Sequence, residues 1–566
     1  MKNFTVTVLD TTGIQPYIYG SNRLRENIGA SYLVSQATDD WAREALNTFA
    51  QKDINRKVYA FDPTKHQPDA KPHIEDEENG LAAELVYAGG GNTVLLFSDE
   101  KYAVEFTKIL SKKILEEAPG INLVAVHKNF DWDSQSLYKV VQELMKNDLD
   151  IKKRSRIPSA PLLGLGVTAV CRSTQLVAVG MSEKFESDEG YLISREIDAK
   201  HKVVSKANDK LQQIFATSLG SYQFPLRTDK MGRSQGDSSY AAVIHADGNG
   251  MGKRFQNFGA GKSNRDYIIA MRQLSHSVNQ AGINALRKVV EILVKSIIDV
   301  EENGKTIKKV MGKFAIEGNN LPFRPLVYGG DDVTFVCDGR LGLELAAIFL
   351  QEFEEQTIAD GEPIKACAGI CVVKTHYPFA RAYQLSEDLC RQAKKFVKED
   401  ENKGDFSALD WHLAASGLSG SISDIRQREY SVKIPDFDKV ASLSMRPVSL
   451  KKEQDTDWRT WEGFTKVVQH FNEDQEWKAR HNKVIALRDV LRQGIDATKN
   501  FLKNYRIKNE QLPTFPECSG QGVGLAEKGW LDGICGYFDA IEAMEFYISL
   551  REECNADLST DNTTAE

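Results

Sequence analysis

The order strand, helix, strand, tight turn, strand, helix, strand occurs twice in this 566-residue chain, and that repeat restricts its folds more than any other feature. In the first copy residues 4–10 alternate like a strand, 22–49 keep helical spacing, and Tyr87-Ala-Gly-Gly-Gly-Asn92 leads into a second apolar run to Phe97. A helix near 101–117, a strand at 122–127 and a helix near 137–145 complete it. In the second copy residues 240–247 form the strand, Gly248-Asn-Gly-Met-Gly252-Lys253 the turn, and about 264–300 the long helix. The runs 325–327 and 333–336 flank Tyr328-Gly-Gly-Asp-Asp332, and helices at 341–358 and 379–398 bracket a strand at 365–373. The expected fold class is α+β, with two ferredoxin-like β-α-β-β-α-β units.

The length exceeds what one core organises, and about three or four domains is the expectation. The spacing of signals divides the chain into 1–155, 156–238, 239–413, 414–554 and a polar, acidic tail at 555–566 that reads as disordered. Lys152-Lys-Arg-Ser-Arg156 and the prolines after it read as a linker, and 458–505 as helical. A 41% hydrophobic and 27% charged composition describes a soluble globular protein. The opening MKNFTVTVLDTTG enters a strand pattern directly, without the layout of a secretory signal, so the cytoplasm is the expected compartment. A net charge of −8 argues against a uniformly basic nucleic-acid coat. The eight cysteines contain no Cys-x-x-Cys pair, and Cys367 and Cys371 read as strand packing.

Chemistry concentrates at the second turn. Gly329 and Gly330 suit positive φ and close approach of an anion, and Asp331 and Asp332 offer hard oxygen ligands for Mg²⁺. In a sheet of this order the first strand lies beside the hairpin, so Asp247 is expected next to both acids. Three carboxylates around one point repel unless cations sit among them. Two Mg²⁺ or Mn²⁺ ions there fit nucleotidyl transfer by the two-metal route. The strand-to-helix turn at Gly248, Asn249, Gly250 and Met251 reads as a phosphate cradle, although Arg254 replaces the hydroxyl residue of a P-loop. Lys394 and Lys395, at the expected end of their helix, could reach phosphates. The first copy has Gly-Gly-Gly-Asn92 at its turn and so lacks the hairpin carboxylates.

Together Thr12-Gly-Ile-Gln-Pro-Tyr-Ile18, Arg23-Leu-Arg25, Gly29-Ala-Ser-Tyr-Leu33, Tyr87–Asn92, Asp247–Lys253, Gly-Gly-Asp-Asp332, Ala368-Gly-Ile370 and Ala393-Lys394 make the chain resemble a known family. It is the palm-domain large subunit of type III CRISPR effector complexes, especially the Cmr type. The resemblance spans about two thirds of the chain, with motifs in order on both palms. It implies a cyclase-like polymerase related to GGDEF enzymes that joins ATP into cyclic oligoadenylate messengers in antiviral defence. By motif, Asp247, Asp331 and Asp332 would hold the metals, Lys394 would contact triphosphate, and the degenerate first palm would help bind the other nucleotide.

The pattern departs from the family in three places. No His-Asp dipeptide occurs, so no HD nuclease is expected. Cys171 stands alone where relatives carry a cysteine zinc site, so no zinc is expected. Asn249 replaces a second acid. Two other readings remain open: an RNA-binding scaffold contacting guide RNA, target RNA and other effector subunits, and a freestanding signalling cyclase. The first draws on the basic residues 478–506, from Lys478 to Arg506.

Overall fold

The computed structural model describes residues 2–551 except 90, 156–163, 187–188, 232–238, 400–404, 415–419, 439, 452–456, 508–509 and 517–520. The expected tail at 555–566 lies outside the described residues.

Both expected units are present. In the first, β1 (Asn3–Thr12) is followed by α1 (Leu24–Thr38) and α2 (Asp40–Gln51), then β2 (Leu81–Gly89), β3 (Asn92–Phe97), α3 (Glu100–Glu117) and β4 (Asn122–Asp131). β1 is central and nearly all buried because it pairs antiparallel with β3 on one side and β4 on the other. A short strand, Lys57–Tyr59, borders β2. In the second unit, β5 (Tyr240–Gly248), α4 (Met251–Gly259), α5 (Asn264–Lys295), β6 (Phe323–Val327), β7 (Asp332–Asp338), α6 (Gly342–Glu354), β8 (Ala366–Lys374) and α7 (Phe379–Glu399) repeat the order. Here β5 is central between β7 and β8, and β9 (Ala408–Ala414) adds a parallel strand beyond β8. Each sheet therefore has the 2-3-1-4 strand order of a ferredoxin-like unit.

The duplication extends to single residues. Asp10 is register partner of Asn92, as Asp247 is of Asp332. Gly13 and Gly250 adopt the left-handed conformation (φ 70° and 63°) that starts the next helix. Asn22 accepts the Phe379 amide at 2.8 Å, and Asn264 accepts the Leu137 amide at 2.7 Å, so each unit caps the last helix of the other. Both hairpins carry a register shift on their first strand, between Leu85 and Tyr87 and between Pro325 and Val327. Tyr87 thus occupies the position of Val327, one residue off the tyrosine match that the sequence suggests.

The long second-unit helix ends at Lys295, short of its expected reach to Val300. Residues Ile297–Glu302 and Lys305–Val310 form a hairpin instead, because Asn303 and Gly304 supply consecutive positive φ values (52° and 75°) for a tight turn. The helical run expected at 22–49 breaks at Asp39 into α1 and α2.

A buried ion network joins the units. Glu84 on β2 is fully buried and meets Arg265 at 2.7 Å and Arg272 at 2.9 Å, both from α5. Arg272 also donates to the Leu85 and Val86 carbonyls. Two arginines hold the Glu84 carboxyl below the usual range against its burial. Beyond β9, residues 461–504 are mainly helical, with a four-stranded sheet of two-residue strands beside them. Among the described residues no helix is long and apolar enough to cross a membrane.

Candidate active site

The turn between β6 and β7 rests on α5. A Cβ on Gly329 (φ 93°) would lie 2.2 Å from Asn279 Oδ1, and one on Gly282 would lie 2.7 Å from the Gly330 carbonyl. Ser275, on the same helix face, approaches Gly89 of the first unit's turn, so one helix underlies both turns. Gly330 (φ 94°) meets nothing within 4 Å on its Cβ side, which leaves its backbone approachable.

Asp331 and Asp332 meet Asp247 as expected. Asp332 lies opposite Asp247 in the β5–β7 register, and the Gly248 amide donates to the Asp331 carbonyl at 3.1 Å. A Cβ on Gly248 would fall 2.9 Å from that of Asp331, so glycine permits the closeness of loop and turn. The protein packed under the turn, and next the Asp247 charge, push Asp331 up to about 6 and Asp332 up to about 7. Over half of the Asp332 side chain (55%) still reaches solvent, so an entering cation meets it directly.

Lys394 donates to Asp247 Oδ2 at 2.7 Å and to the Gly248 carbonyl at 3.0 Å. Burial opposes its charge, but the Asp247 carboxylate outweighs that and raises the ammonium pKa. Lys395 is not brought here. It lies about 100° round α7 from Lys394 and pairs on the surface with Glu399 at 3.5 Å.

The loop residues divide by role. Gly250 starts α4, whose first amides open on the same end of the sheet. Asn249 instead donates its side-chain amide to Asp405 at 2.8 Å and to the Phe406 carbonyl at 3.1 Å, so its side chain braces the start of β9. Met251 is buried against Gly248 as packing. Arg254 is committed to Asp360 through two hydrogen bonds of 2.8 and 2.6 Å.

Sequence reasoning missed several neighbours. Tyr383 and Glu387 share the α7 face with Lys394, and Glu387 is, after Asp247, the next charge raising the Asp332 pKa. From the first unit, Gln15 donates to Glu387 at 3.4 Å and Tyr19 stacks on Tyr383 with centroids 3.7 Å apart. Lys153, read as linker, lies in the helix Leu149–Ser155 and pairs with Asp10. The helical spacing of Tyr383, Glu387 and Lys394 was the one signal available for the α7 residues.

Residues 240–403 match the family model of the Cas10/Cmr2 second palm domain. No curated protein sequence matches the chain. Among solved structures, a Csm1–Csm4 cassette in complex with cA4 is similar at TM-score 0.49 and 11% identity, over 96% of this chain and 70% of that one. Csm1 in T. onnurineus is similar at TM-score 0.47 and 12% identity, over 96% and 69%. The Csm1–Csm4 subcomplex of a type III-A CRISPR-Csm interference complex is similar at 0.46 and 12%, with the same coverage.

Proposed function

From the premise of a Cas10/Cmr2 second palm domain at residues 240–403, in a chain of the type III CRISPR large-subunit kind, we propose a metal-dependent nucleotidyltransferase. It joins nucleoside triphosphates, ATP first, into cyclic oligoadenylate-like messengers of antiviral defence and releases pyrophosphate. The observation that carries this reading is the pairing of Asp332 with Asp247 in register, with Asp331 packed beside Gly248 at the same end of a palm sheet.

The three carboxylates suit divalent cations: burial first, and then the Asp247 charge, raises the pKa of Asp331 and Asp332, and among the described residues the ammonium hydrogen-bonded to Asp247 is that of Lys394. Asp247, Asp331 and Asp332 would hold two Mg²⁺ or Mn²⁺ ions, which when bound lower the pKa of the attacking 3′-hydroxyl and offset charge on the departing pyrophosphate. The open backbone of Gly330 and the amides at the start of α4, beyond Gly248 and Gly250, receive triphosphate oxygens. Lys394, released from Asp247, adds a point charge to the phosphates. The 3′-oxygen forms a bond to the α-phosphorus as the bond to the β-phosphate bridge breaks. Alignment and charge neutralisation carry the rate.

The test is incubation of the protein with each NTP and Mg²⁺ or Mn²⁺, with products identified by mass spectrometry. Product from ATP that disappears in the Asp331→Ala, Asp332→Ala double variant supports the reading. Unchanged synthesis in that variant overturns the site assignment.

A second, binding role is favoured by the surface at 478–506. Tyr505 is 39% exposed, with the Lys483 ammonium 4.0 Å above its ring and Arg480 bonded to its carbonyl at 2.8 Å. Lys499, Lys503 and Arg506 are exposed nearby in sequence. A stacking ring among cations suits single-stranded guide or target RNA, with other effector subunits as further partners. Binding of labelled RNA that weakens steeply with salt tests it.

A further inference from the structure

Three buried polar groups lie together beneath Asp332. Thr334 follows it by two residues on β7, so both point to the same face of the sheet, and Thr334 is register partner of His245 on β5. Tyr19 comes from the other half of the molecule, at the end of the first unit's helix Ile14–Tyr19. Tyr19 is 3% exposed, Thr334 0% and His245 5%. Tyr19 OH, Thr334 Oγ1 and His245 Nδ1 each have no hydrogen-bond partner. The Tyr19 and Thr334 hydroxyls face one another without closing to a direct bond, and Asp332 is among the charges acting on the phenol. His245 Nδ1 stands 3.4 Å from Asp332 Oδ1.

Buried polar groups left without partners cost free energy, and three of them rarely gather by accident. Here they converge on the Asp332 carboxylate, with Glu387 a second charge acting on both the phenol and the imidazole. Their hydrogen-bonding capacity is therefore satisfied when the Asp332 carboxylate, or one water bridging to it, completes the network. Packing locks the phenol in place: Tyr19 stacks on Tyr383 at 3.7 Å and on Phe379 at 5.9 Å, and Tyr383 sits edge-on to His245 at 5.5 Å. The adjacent contacts Gln15 to Glu387 and Asn22 to Phe379 fix the same first-unit segment along α7.

We propose that Tyr19 is a positioning residue for Asp332: its hydroxyl, with Thr334 and His245, forms a buried polar floor that orients this carboxylate for a divalent cation. The first palm thereby helps to build the metal site of the second, although it supplies no ligand. The proposal rests on the metal-site reading above. Side chains that orient ligands in this way change metal affinity by about 10- to 100-fold when removed.

The test measures Mn²⁺ binding to the full chain by electron paramagnetic resonance, without nucleotide, and thermal unfolding in parallel. Tyr19→Phe keeps the stacked ring and removes only the hydroxyl. Its Mn²⁺ dissociation constant is expected to rise about tenfold with an unchanged Tm, and Thr334→Val to behave alike. In turnover, the half-saturating metal concentration rises while the KM for ATP stays constant. Mn²⁺ affinity in Tyr19→Phe equal to that of the unaltered chain overturns the proposal. So does a weakening seen only in Tyr19→Leu together with a lowered Tm, which assigns Tyr19 to packing. Absence of Mn²⁺ binding in the unaltered chain overturns the metal-site reading itself, a distinguishable result.

Discussion

Lys153 forms an ion pair with Asp10 in the first palm at the place where Lys394 pairs with Asp247 in the second. The halves share this aspartate–lysine pair and differ at the turn, where Gly91 and Asn92 occupy the positions of Asp331 and Asp332. In the first palm one carboxylate meets one ammonium and the local charge closes. In the second, two further carboxylates leave a deficit of positive charge.

The two lysines should therefore respond differently to removal. Asp10 is mostly buried, with a side chain 12% exposed, so Lys153→Ala strands a carboxylate and should cost about 1–3 kcal/mol in urea denaturation. Asp247 is more open, at 38%, and Lys394→Ala should cost less stability. Its effect should appear in turnover, as a loss of about 10²-fold in product formation from ATP.

The raised pKa values of Asp331 and Asp332, about 6 and about 7, set a pH dependence with a definite sign. Between the ordinary value of 3.8 and these values the folded chain binds more protons than the unfolded one. The stability they contribute is complete below pH ~4 and is lost as pH rises through ~6 to ~7. Without metal, thermal unfolding should thus shift upward on going from pH 8 to 6, and Asp332→Asn should remove much of that shift. Divalent binding runs the other way, because protons compete for the same oxygens. Half-saturating Mg²⁺, followed by calorimetry, should be about tenfold or more higher at pH 6 than at pH 8.

Gly329 and Gly330 have nearly the same positive φ but different surroundings. Alanine at Gly329 adds a collision with Asn279 to the backbone strain, whereas alanine at Gly330 enters open space. Gly329→Ala should destabilise by about 1–3 kcal/mol, and the companion change Asn279→Gly should recover part of it. Gly330→Ala should cost only about 1 kcal/mol of strain yet impair ATP binding, since its new methyl faces the approach to the turn. Denaturation curves and nucleotide titrations separate the two.

Arg272→Met should lower stability by about 3–5 kcal/mol, because Glu84 stays buried and loses one of its two arginines. Adding Glu84→Gln should restore much of the loss. Equal destabilisation by the single and double variants, measured in urea, would contradict this account of the joint between palms.

The readable parts of the fold were those with local signatures. Periodicity exposed both β-α-β-β-α-β units, and a Gly-Gly-Asp-Asp turn needs no partner to be noticed. Strand order then placed Asp247 beside Asp331 and Asp332. The hairpin after α5 also had a local mark, Asn303-Gly304, overridden by the apolar spacing on either side. Lys153 was hidden for another reason: within Lys152-Lys-Arg its charge looks like solvated linker, and only folding shows which lysine meets Asp10. Tyr19, Gln15 and Glu387 were illegible because their meaning lies between palms, across more than 360 residues in the case of Gln15 and Glu387 (372 apart). Asn249 and Met251 sat in the right loop, but side-chain direction, which no motif encodes, turns them to Asp405, Phe406 and the core.

The ion network at Glu84 also bears on how the chain is born. A ribosome delivers Glu84 long before its partners: Arg265 follows 181 residues later and Arg272 188 later. At about 5–20 residues per second that is a wait of roughly 10–40 s during which β2 carries a charge it cannot bury. The Leu137 amide waits similarly for Asn264, 127 residues on. The N-terminal half is thus an unfinished fold that the later half completes, and messages truncated between the palms should yield polypeptides that depend on chaperones or are degraded.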